Sequence, residues 1–274
     1  MPTRTVRRLA AVTLALAAAL TWVPAAHAAG AVNIDSCQTL SIPNTVYKLT
    51  TDLTSCGFCL IVAAGRITID MQGHSITSPC ESLPGITDLE KGFDLITVKN
   101  GSISGFSQGI HLVSSTRVSV LGIKVQGGVV GIVTGPQGLV KSSEVSGAGV
   151  GIEIVGDRGQ VQQSNAHHNS QGIVVQGDKS LVTMNTANFN GGVGIQVRGT
   201  KGTVSFNTAS RNGTAGIAAI VAADHLITRN VVLNNGLVDY GISCPSDVTF
   251  NESTNGFPTS YDLIGAGCHT ANND

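Results

Sequence analysis

Apolar positions recur along the chain with a period of about 22 residues. A Gly-Ile dipeptide returns at intervals of 20 to 25 residues, at Gly109-Ile110, Gly131-Ile132, Gly151-Ile152, Gly172-Ile173, Gly194-Ile195, Gly216-Ile217 and Gly241-Ile242. A second apolar column keeps the same period at Val118, Val140, Val161, Val182, Val204, Ile227 and Val248. Around these columns the apolar residues alternate with polar ones or stand in short β-branched runs, a pattern that predicts strands of about three to five residues.

Polar positions share this period. Two asparagine columns run through Asn165, Asn185, Asn207, Asn230 and Asn251, and through Asn169, Asn190, Asn212 and Asn234. Gly, Asn, Ser and Asp, which favour bends, separate the predicted strands, and no repeat holds a segment of helical periodicity long enough for a crossover helix. A repeat of about 22 residues with three short strands predicts a coil whose equal positions stack about 4.8 Å apart in successive coils. We expect the asparagines to hydrogen-bond to one another along the stack.

Two other solenoids have related repeats. A left-handed β-helix repeats hexapeptides, roughly 18 residues per coil, and leucine-rich repeats need an L-x-x-L-x-L pattern that is missing here. The sequence therefore predicts an all-β protein, a right-handed parallel β-helix. Its coils occupy residues 81–250, after an N-terminal capping module at 29–80 that contains the cysteine pairs and before a C-terminal cap at 251–274. Such caps cover strand edges that would otherwise pair with other chains.

The first 28 residues have the pattern of a secretory signal peptide. A basic start with Arg4, Arg7 and Arg8 precedes an apolar run, and Ala26-His27-Ala28 resembles a cleavage site. The alternative, a membrane anchor, needs an apolar run of about 20 residues, which is longer than this one. Removing three positive charges from a chain of net charge −1 leaves −4. This balance does not favour nucleic acid as a partner. We expect a secreted or periplasmic, monomeric protein that does not span a membrane.

All six cysteines follow the predicted cleavage site, which favours disulfides over a metal site or thiol chemistry. Cys59 and Cys80 are one repeat apart, and so are Cys244 and Cys268, so we predict that each pair is bonded. Elimination leaves Cys37 bonded to Cys56. Each bond would stabilise one end of the stack by about 2–4 kcal/mol.

The residue that follows each Gly-Ile pair, or that follows Phe93 at the position taken as equivalent, is predicted to point outward, because side chains alternate along a strand. Aligned in this way, Asp94 and His111 lie on adjacent rungs, and Glu153 lies two rungs further. A carboxylate beside an imidazole can orient it as a general base, so Asp94, His111 and Glu153 are candidate catalytic residues. The alternative is a solvent-facing strand that simply carries polar residues.

One predicted bend repeats a cation. Residues 156–159, 177–180 and 199–202 align and would stack Arg158, Lys179 and Lys201, with Arg117 near one end of the row. Such a row could follow an acidic polysaccharide. The alternative is a solvated turn whose aspartates neutralise the cations. The adjacent His167 and His168 are interpreted as structural, because neighbouring residues point to opposite sides.

The stretch from Cys37 to Ile76, which includes Tyr47–Leu53 and Arg66–Ile76, together with the Gly-Ile coils behind it, resembles the secreted right-handed β-helix proteins of the pectin-lyase-like superfamily. That resemblance implies polysaccharide lyases, polygalacturonases, epimerases and non-catalytic members as possible relatives. It implies Ca²⁺ as a cofactor only for a lyase, and no other cofactor is evident. The Asp-Asp pair of polygalacturonases is missing, so the resemblance transfers no catalytic residue to this chain.

The expected function is recognition or processing of an extracellular acidic polysaccharide, by a lyase or related enzyme if the protein is catalytic. The alternative is a non-catalytic solenoid that serves as a surface binding or structural protein. The only tryptophan, Trp22, lies in the predicted signal peptide, and Phe206 and Phe250 occupy matching positions that suggest stacking in the core. Exposed rings for neutral sugars would then be scarce, which favours an acidic glycan.

Overall fold

The computed structural model describes residues 30–220, 223–254 and 261–274. The predicted signal peptide at 1–28 lies outside these residues. The described residues form short strands and no helix, so no described helix is long and apolar enough to cross a membrane. The N-terminal strands are β1 (Val32–Ile34), β2 (Gln38–Leu40), β3 (Val46–Leu49), β4 (Leu53–Thr54), β5 (Leu60–Val62), β6 (Thr68–Asp70), β7 (Ser75–Thr77) and β8 (Pro84–Thr87).

The central coils continue the pattern of three strands and three bends per repeat. Their strands are β9 (Thr97–Ser104), β10 (Gln108–Leu112), β11 (Ser119–Gln126), β12 (Val130–Thr134), β13 (Leu139–Lys141), β14 (Glu144–Ser146), β15 (Val150–Val155), β16 (Gln160–Gln162), β17 (Asn165–His167), β18 (Gln171–Gln176), β19 (Leu181–Thr183), β20 (Thr186–Asn188), β21 (Ile195–Arg198), β22 (Thr203–Ser205), β23 (Thr208–Ser210), β24 (Ala215–Ala219), β25 (Leu226–Thr228) and β26 (Val231–Leu233). The last strands are β27 (Val238–Ser243), β28 (Asp247–Thr249), β29 (Glu252–Ser253), β30 (Tyr261–Ile264) and β31 (His269–Ala271).

Every pairing between these strands is parallel and joins equal positions of successive coils. One sheet has 11 strands, in the order β2-β5-β8-β10-β12-β15-β18-β21-β24-β27-β30. The other two sides of the coil merge into a 20-stranded sheet, because β9 and β11 run through the bend that separates the two sides elsewhere. The predicted right-handed parallel β-helix with three strands per coil is confirmed. In the predicted C-terminal cap, β29 to β31 continue the stacking.

The Gly-Ile column lies where the sequence predicts it, up to Gly216-Ile217. The isoleucines of these six pairs are fully buried and stack in register. Each glycine is required by the coil above it: a Cβ on Gly172 would lie 2.4 Å from the carbonyl oxygen of Gly194. Gly241-Ile242 departs from the column, because Tyr240 pairs with Ile217 and Gly241 pairs with Ala218.

Two buried asparagine ladders run along the inside of bends. In the first, the amide nitrogen Nδ2 of Asn185, Asn207 and Asn230 donates to Oδ1 of the next asparagine at 3.0 Å, and Asn251 continues the ladder by donating to Asn273 Oδ1 at 3.1 Å. Each Nδ2 also donates to a backbone carbonyl of the preceding coil, as from Asn207 to Val182. The second ladder contains Asn169, Asn190, Asn212 and Asn235. The ladders satisfy polar groups that burial would otherwise leave without partners.

Three predicted column members are wrong by one or two positions. Ser164 and Asn235 hold the ladder positions assigned to Asn165 and Asn234, and Val120 rather than Val118 pairs with Val140. Asn165 instead begins β17, where its side chain is half-buried. A slip of one residue exchanges the inner and outer faces of a strand, and the repeat length alone cannot detect it.

The disulfides join successive coils, but only one of the three predicted pairs is correct. Cys244–Cys268 is confirmed, whereas the N-terminal bonds are Cys37–Cys59 and Cys56–Cys80. Cys59 directly precedes β5, whose partner β2 directly follows Cys37. Cys56 follows β4, whose partner β7 leads to Cys80. Two cysteines of one coil therefore bond to opposite neighbours, Cys59 to the preceding coil and Cys56 to the following one.

Candidate functional site

The predicted cationic bend is present as a stacked row. Arg158, Lys179 and Lys201 occupy the same bend of successive coils with φ of 60°, 58° and 59°. Their amides donate to Asp178 O, Thr200 O and Ala223 O of the next coil, which keeps them in register. All three side chains are exposed, and none forms an ion pair with a described residue. We call these three residues the cationic row.

The aspartates beside this row are held by backbone amides. Asp157 Oδ1 accepts a hydrogen bond of 2.9 Å from the amide of Asp178, and Asp178 Oδ1 accepts one of 2.7 Å from the amide of Thr200. The amide of Thr200, followed by nearby Lys179 and Lys201, lowers the pKa of the Asp178 carboxyl below its usual value. The carboxylates thus point along the stack, and the cations remain available to a ligand.

A shallow cavity opens along the row. Its volume is about 540 Å³, and the lining residues come from three coils: Pro136, Gln137, Gly156, Asp157, Arg158, Asp178 and Lys179. Gln137 holds the bend position between Arg117 and Arg158, with a similar φ of 57°. The cavity therefore combines two fixed cations with amide and carboxylate groups on a surface that spans successive rungs.

Asp94 and Arg117 form a pair at the N-terminal end of this bend. Arg117 Nε donates to Asp94 Oδ1 at 2.6 Å, and the terminal guanidinium nitrogen Nη2 donates to Oδ2. This bidentate contact lowers the pKa of Asp94 and raises that of Arg117. Asp94 lies outside the 11-stranded sheet and pairs with Thr116. The prediction that Asp94 and His111 occupy adjacent rungs is therefore wrong. Strand β9 and a bend lie between the two residues, so Phe93 is not equivalent to the stacked isoleucines.

His111 and Glu153 do point outward from one column of the 11-stranded sheet, with Val133 between them. Glu153 Oε1 accepts a hydrogen bond of 2.6 Å from Gln176. His111 lies instead at a separate cavity of about 380 Å³ whose lining includes Thr87, Leu89, Glu90 and Gln108. The structure brings His111 close to the Glu90 segment and does not assemble the three predicted catalytic residues.

The pectin-lyase-like resemblance implies Ca²⁺ as a cofactor if the protein is a lyase. Calcium needs about six to eight oxygen ligands, usually from several carboxylates. Among residues 30–220, 223–254 and 261–274, no three His, Cys, Asp or Glu side chains are arranged to hold a metal ion. The described residues therefore do not fit a bound calcium ion.

Exposed aromatic rings are a feature that the sequence reasoning missed. Phe189, Phe206 and Phe250 are 45%, 49% and 52% exposed, so the predicted core stacking of Phe206 and Phe250 is wrong. Phe206 and Phe250 each precede a ladder asparagine and have a left-handed φ. Since the asparagine points into the coil, the ring before it points out. The signal available in the sequence was this adjacency: a residue directly before an inward asparagine lies on the outer side of the bend.

His167 and His168 also differ from expectation, because their rings converge. The Nδ1 atoms are 2.8 Å apart, and His167 Nε2 lies 3.2 Å from Glu144 Oε1. The left-handed φ of His168, 56°, turns its side chain back towards its neighbour. The hydrogen bond from His167, with Lys124 nearby, lowers the pKa of Glu144. These groups form a surface network on β11, β14 and β17.

The lowered pKa values predict a loss of stability in acid. Asp94, Asp178 and Glu144 are ionised more readily in the folded chain than in the unfolded chain. Their stabilising contribution is present above an ordinary carboxyl pKa of about 4 and is lost as the pH falls through the lower folded values. We expect a melting temperature that is steady from pH 7 to about pH 5 and falls below about pH 4. Glu144→Gln should make that fall shallower, and an equal fall in the variant would contradict the assignment to Glu144.

Comparisons with known proteins support the fold. A family model described as a right-handed β-helix region matches residues 150–256. None of the curated protein sequences matches the chain. Among solved structures, the A-module of the mannuronan C-5 epimerase AlgE6 from Azotobacter vinelandii is similar with a TM-score of 0.63 and 13% identity, over 88% of this chain and 86% of that chain.

Two further solved structures share the architecture. An alginate lyase from Paenibacillus sp. str. FPU-7 has a TM-score of 0.61 and 13% identity, over 88% of this chain and 99% of that chain. A mutant of the periplasmic alginate epimerase AlgG has a TM-score of 0.55 and 13% identity, over 81% of this chain and 60% of that chain. At this identity the likeness concerns the fold alone.

Proposed function

We propose that this right-handed parallel β-helix recognises an acidic extracellular polysaccharide along its cationic row. The observation that carries this proposal is the register of Arg158, Lys179 and Lys201 on successive coils, with no carboxylate of a described residue paired to them. The named activities of the similar structures supply the ligand class, since they concern alginate or mannuronan. Each sugar of such a polymer carries a carboxylate.

The cationic row repeats a positive charge once per coil. Adjacent coils are about 4.8 Å apart, so the row presents cations at a spacing that an extended chain of uronates can follow. Arginine offers a planar pair of donors to a carboxylate, and lysine adds charge with less directional demand. The cavity beside Arg158 and Lys179 gives a sugar room to lie against the bend.

The proposed location follows from two other features. Residues 1–28 have the pattern of an export signal, and the three disulfides need an oxidising compartment to persist. We propose that the protein acts in the periplasm or outside the cell, where acidic polysaccharides occur. N-terminal sequencing of the protein from culture medium and periplasm tests this: a start at Ala29 supports export, and an intact Met1 in the cytoplasm contradicts it.

Binding should depend on the two lysines. We expect alginate and polygalacturonate to bind, a neutral glucan not to bind, and the affinity to fall as salt rises. Replacing Lys179 and Lys201 by glutamine, the residue that Gln137 provides at the equivalent bend, should weaken binding at least about tenfold without unfolding the coil. Titration calorimetry measures both effects. As a matched control, Lys48→Gln with Lys124→Gln removes the same charge elsewhere; an equal loss in this control, or equal binding of the neutral glucan, would refute the row as the site.

Processing of the same polymer is a second candidate function. The observation that favours it is the cavity of about 380 Å³ whose lining includes both His111 and Glu90. An imidazole and a carboxylate that face one cavity can serve as acid and base in uronate chemistry. Incubation with alginate or polygalacturonate, followed by absorbance of unsaturated uronates and by analysis of sugar epimers, tests it. Activity that disappears in His111→Ala supports this function, and absence of both products from all polymers removes it.

A further inference from the structure

A second surface, on another side of the coil, combines aromatic rings with guanidinium groups. Two rows of bend residues flank β20, β23 and β26. One row contains Met184, Phe206, Arg229 and Phe250, and the other contains His168, Phe189 and Arg211. We call these two rows and the strands between them the ridge face.

The rings and cations of the ridge face stack alternately. The guanidinium carbon Cζ of Arg229 lies 5.4 Å from the ring centre of Phe206 and 5.6 Å from that of Phe250. In the other row, Phe189 is stacked between His168, at 5.3 Å, and Arg211, at 5.1 Å. These contacts place the guanidinium groups over the rings, where cation–π attraction holds them before any ligand arrives.

Two of the three strands between the rows, β20 and β23, present small polar side chains, whereas β26 presents Val231 and Leu233. Thr186, Asn188, Thr208 and Ser210 are half-buried on β20 and β23, and Asn188 Oδ1 accepts a hydrogen bond from the Ser210 amide. A strand of three residues spans about 10 Å, so the floor is about as wide as a sugar chain. Its hydroxyl and amide groups can donate and accept hydrogen bonds.

We propose that the ridge face is a second binding surface for an acidic polysaccharide, in which sugar rings lie on the phenylalanines and carboxylates pair with Arg211 and Arg229. The ligand class rests on the proposed function, but the residues are different and lie on different bends. The apolar face of a sugar packs against an exposed aromatic ring. A carboxylate accepts paired hydrogen bonds from a planar guanidinium group.

Charge and composition favour a glycan over a protein partner at this surface. The polar floor on β20 and β23 interrupts the apolar surface around Phe189 and Phe206, whereas the core of a protein interface is a continuous, largely apolar patch. Arg211 and Arg229 form no ion pair with a described residue, so they carry unneutralised charge towards a ligand. A chain of this kind would hold two segments of polymer at once and could cross-link a polysaccharide network.

The test is the number of binding sites for a short uronate oligomer. Calorimetry with a purified mannuronate hexamer should give two sites per chain. Phe206→Leu combined with Phe250→Leu removes the rings and keeps an apolar side chain at the same left-handed bend, which Leu95 shows to be tolerated. We expect this variant to retain one site and to weaken the other at least about tenfold.

The variants separate this inference from the proposed function. Lys179→Gln with Lys201→Gln should leave only the ridge site. Saturation-transfer NMR from the phenylalanine rings to the sugar protons should persist in this lysine variant and fall in the phenylalanine variant, which keeps only Phe189 of the three ridge-face phenylalanines. If the phenylalanine variant keeps two sites and its ring-to-sugar transfer, the ridge inference is overturned while the cationic row stands. If the lysine variant keeps two sites while the phenylalanine variant loses one, the cationic row is overturned and the ridge inference stands. Absence of binding by any uronate oligomer or polymer overturns both.

Discussion

Replacing Asn207 with Ala should lower the free energy of unfolding by about 4 kcal/mol, because it leaves several buried groups without partners. Asn207 Oδ1 accepts from both the backbone amide and the Nδ2 of Asn185. Its own Nδ2 donates to the Val182 carbonyl and to Asn230 Oδ1. Each buried group that loses its partner costs about 1–3 kcal/mol, and neighbouring bonds in a chain of this kind reinforce one another.

The matched control for this variant is Asn165→Ala. Asn165 belongs to the same sequence column, but it lies outside the ladder, and its Oδ1 is buried without a hydrogen-bond partner among the described residues. We expect a change within about 0.5 kcal/mol in urea unfolding. Equal losses at Asn165 and Asn207 would mean that the column, and not the ladder register, determines stability, which contradicts the structure.

Gly172→Ala is expected to cost about 3 kcal/mol, the second largest effect. The new Cβ would lie 2.4 Å from the Gly194 carbonyl oxygen and 2.8 Å from Asn190 Nδ2. Both neighbours are fixed, since Gly194 O accepts from the Ile173 amide and Asn190 belongs to a ladder. The coil has no flexible group that can move aside.

Gly241→Ala controls for the Gly-Ile dipeptide itself. At Gly241 the new Cβ would meet only Ile220 Cγ2 at 3.3 Å and Val238 Cγ2 at 3.9 Å. We expect a loss below about 1 kcal/mol, because side-chain ends adjust more easily than backbone. Thermal and urea unfolding of the two variants, measured side by side, compare their losses of stability. If Gly172→Ala costs no more than Gly241→Ala, the coils are not stacked this closely.

The periodic part of the fold could be predicted because stacking forces equal positions to touch. The buried isoleucines from Ile110 to Ile217 and the cationic row all follow from one repeat length. The position of each residue on the inner or outer side could not be predicted equally well. Asn165 and Ser164 differ by one residue, and the period, which varies between 20 and 25, does not distinguish them.

The candidate site shows the same limit. Arg158, Lys179 and Lys201 were identified because glycines mark their bends at constant spacing. Asp94 was placed on the wrong side of the coil because Phe93 was aligned with the isoleucines, although Gly85-Ile86 in the preceding segment is the pair that stacks on Gly109-Ile110. The exposed phenylalanines were missed for a different reason: an aromatic residue suggests burial, whereas a left-handed bend directly before an inward asparagine forces the side chain outward.

Hydrogen–deuterium exchange with and without alginate shows directly where a uronate chain contacts the coil, and so tests both proposed surfaces. With alginate bound, we predict slower exchange at the backbone amides of residues 156–159, 177–180 and 199–202, with a second protected region at the ridge-face bends. Protection confined to the cavity around His111, or no change anywhere on a chain that binds alginate, would contradict recognition by the cationic row.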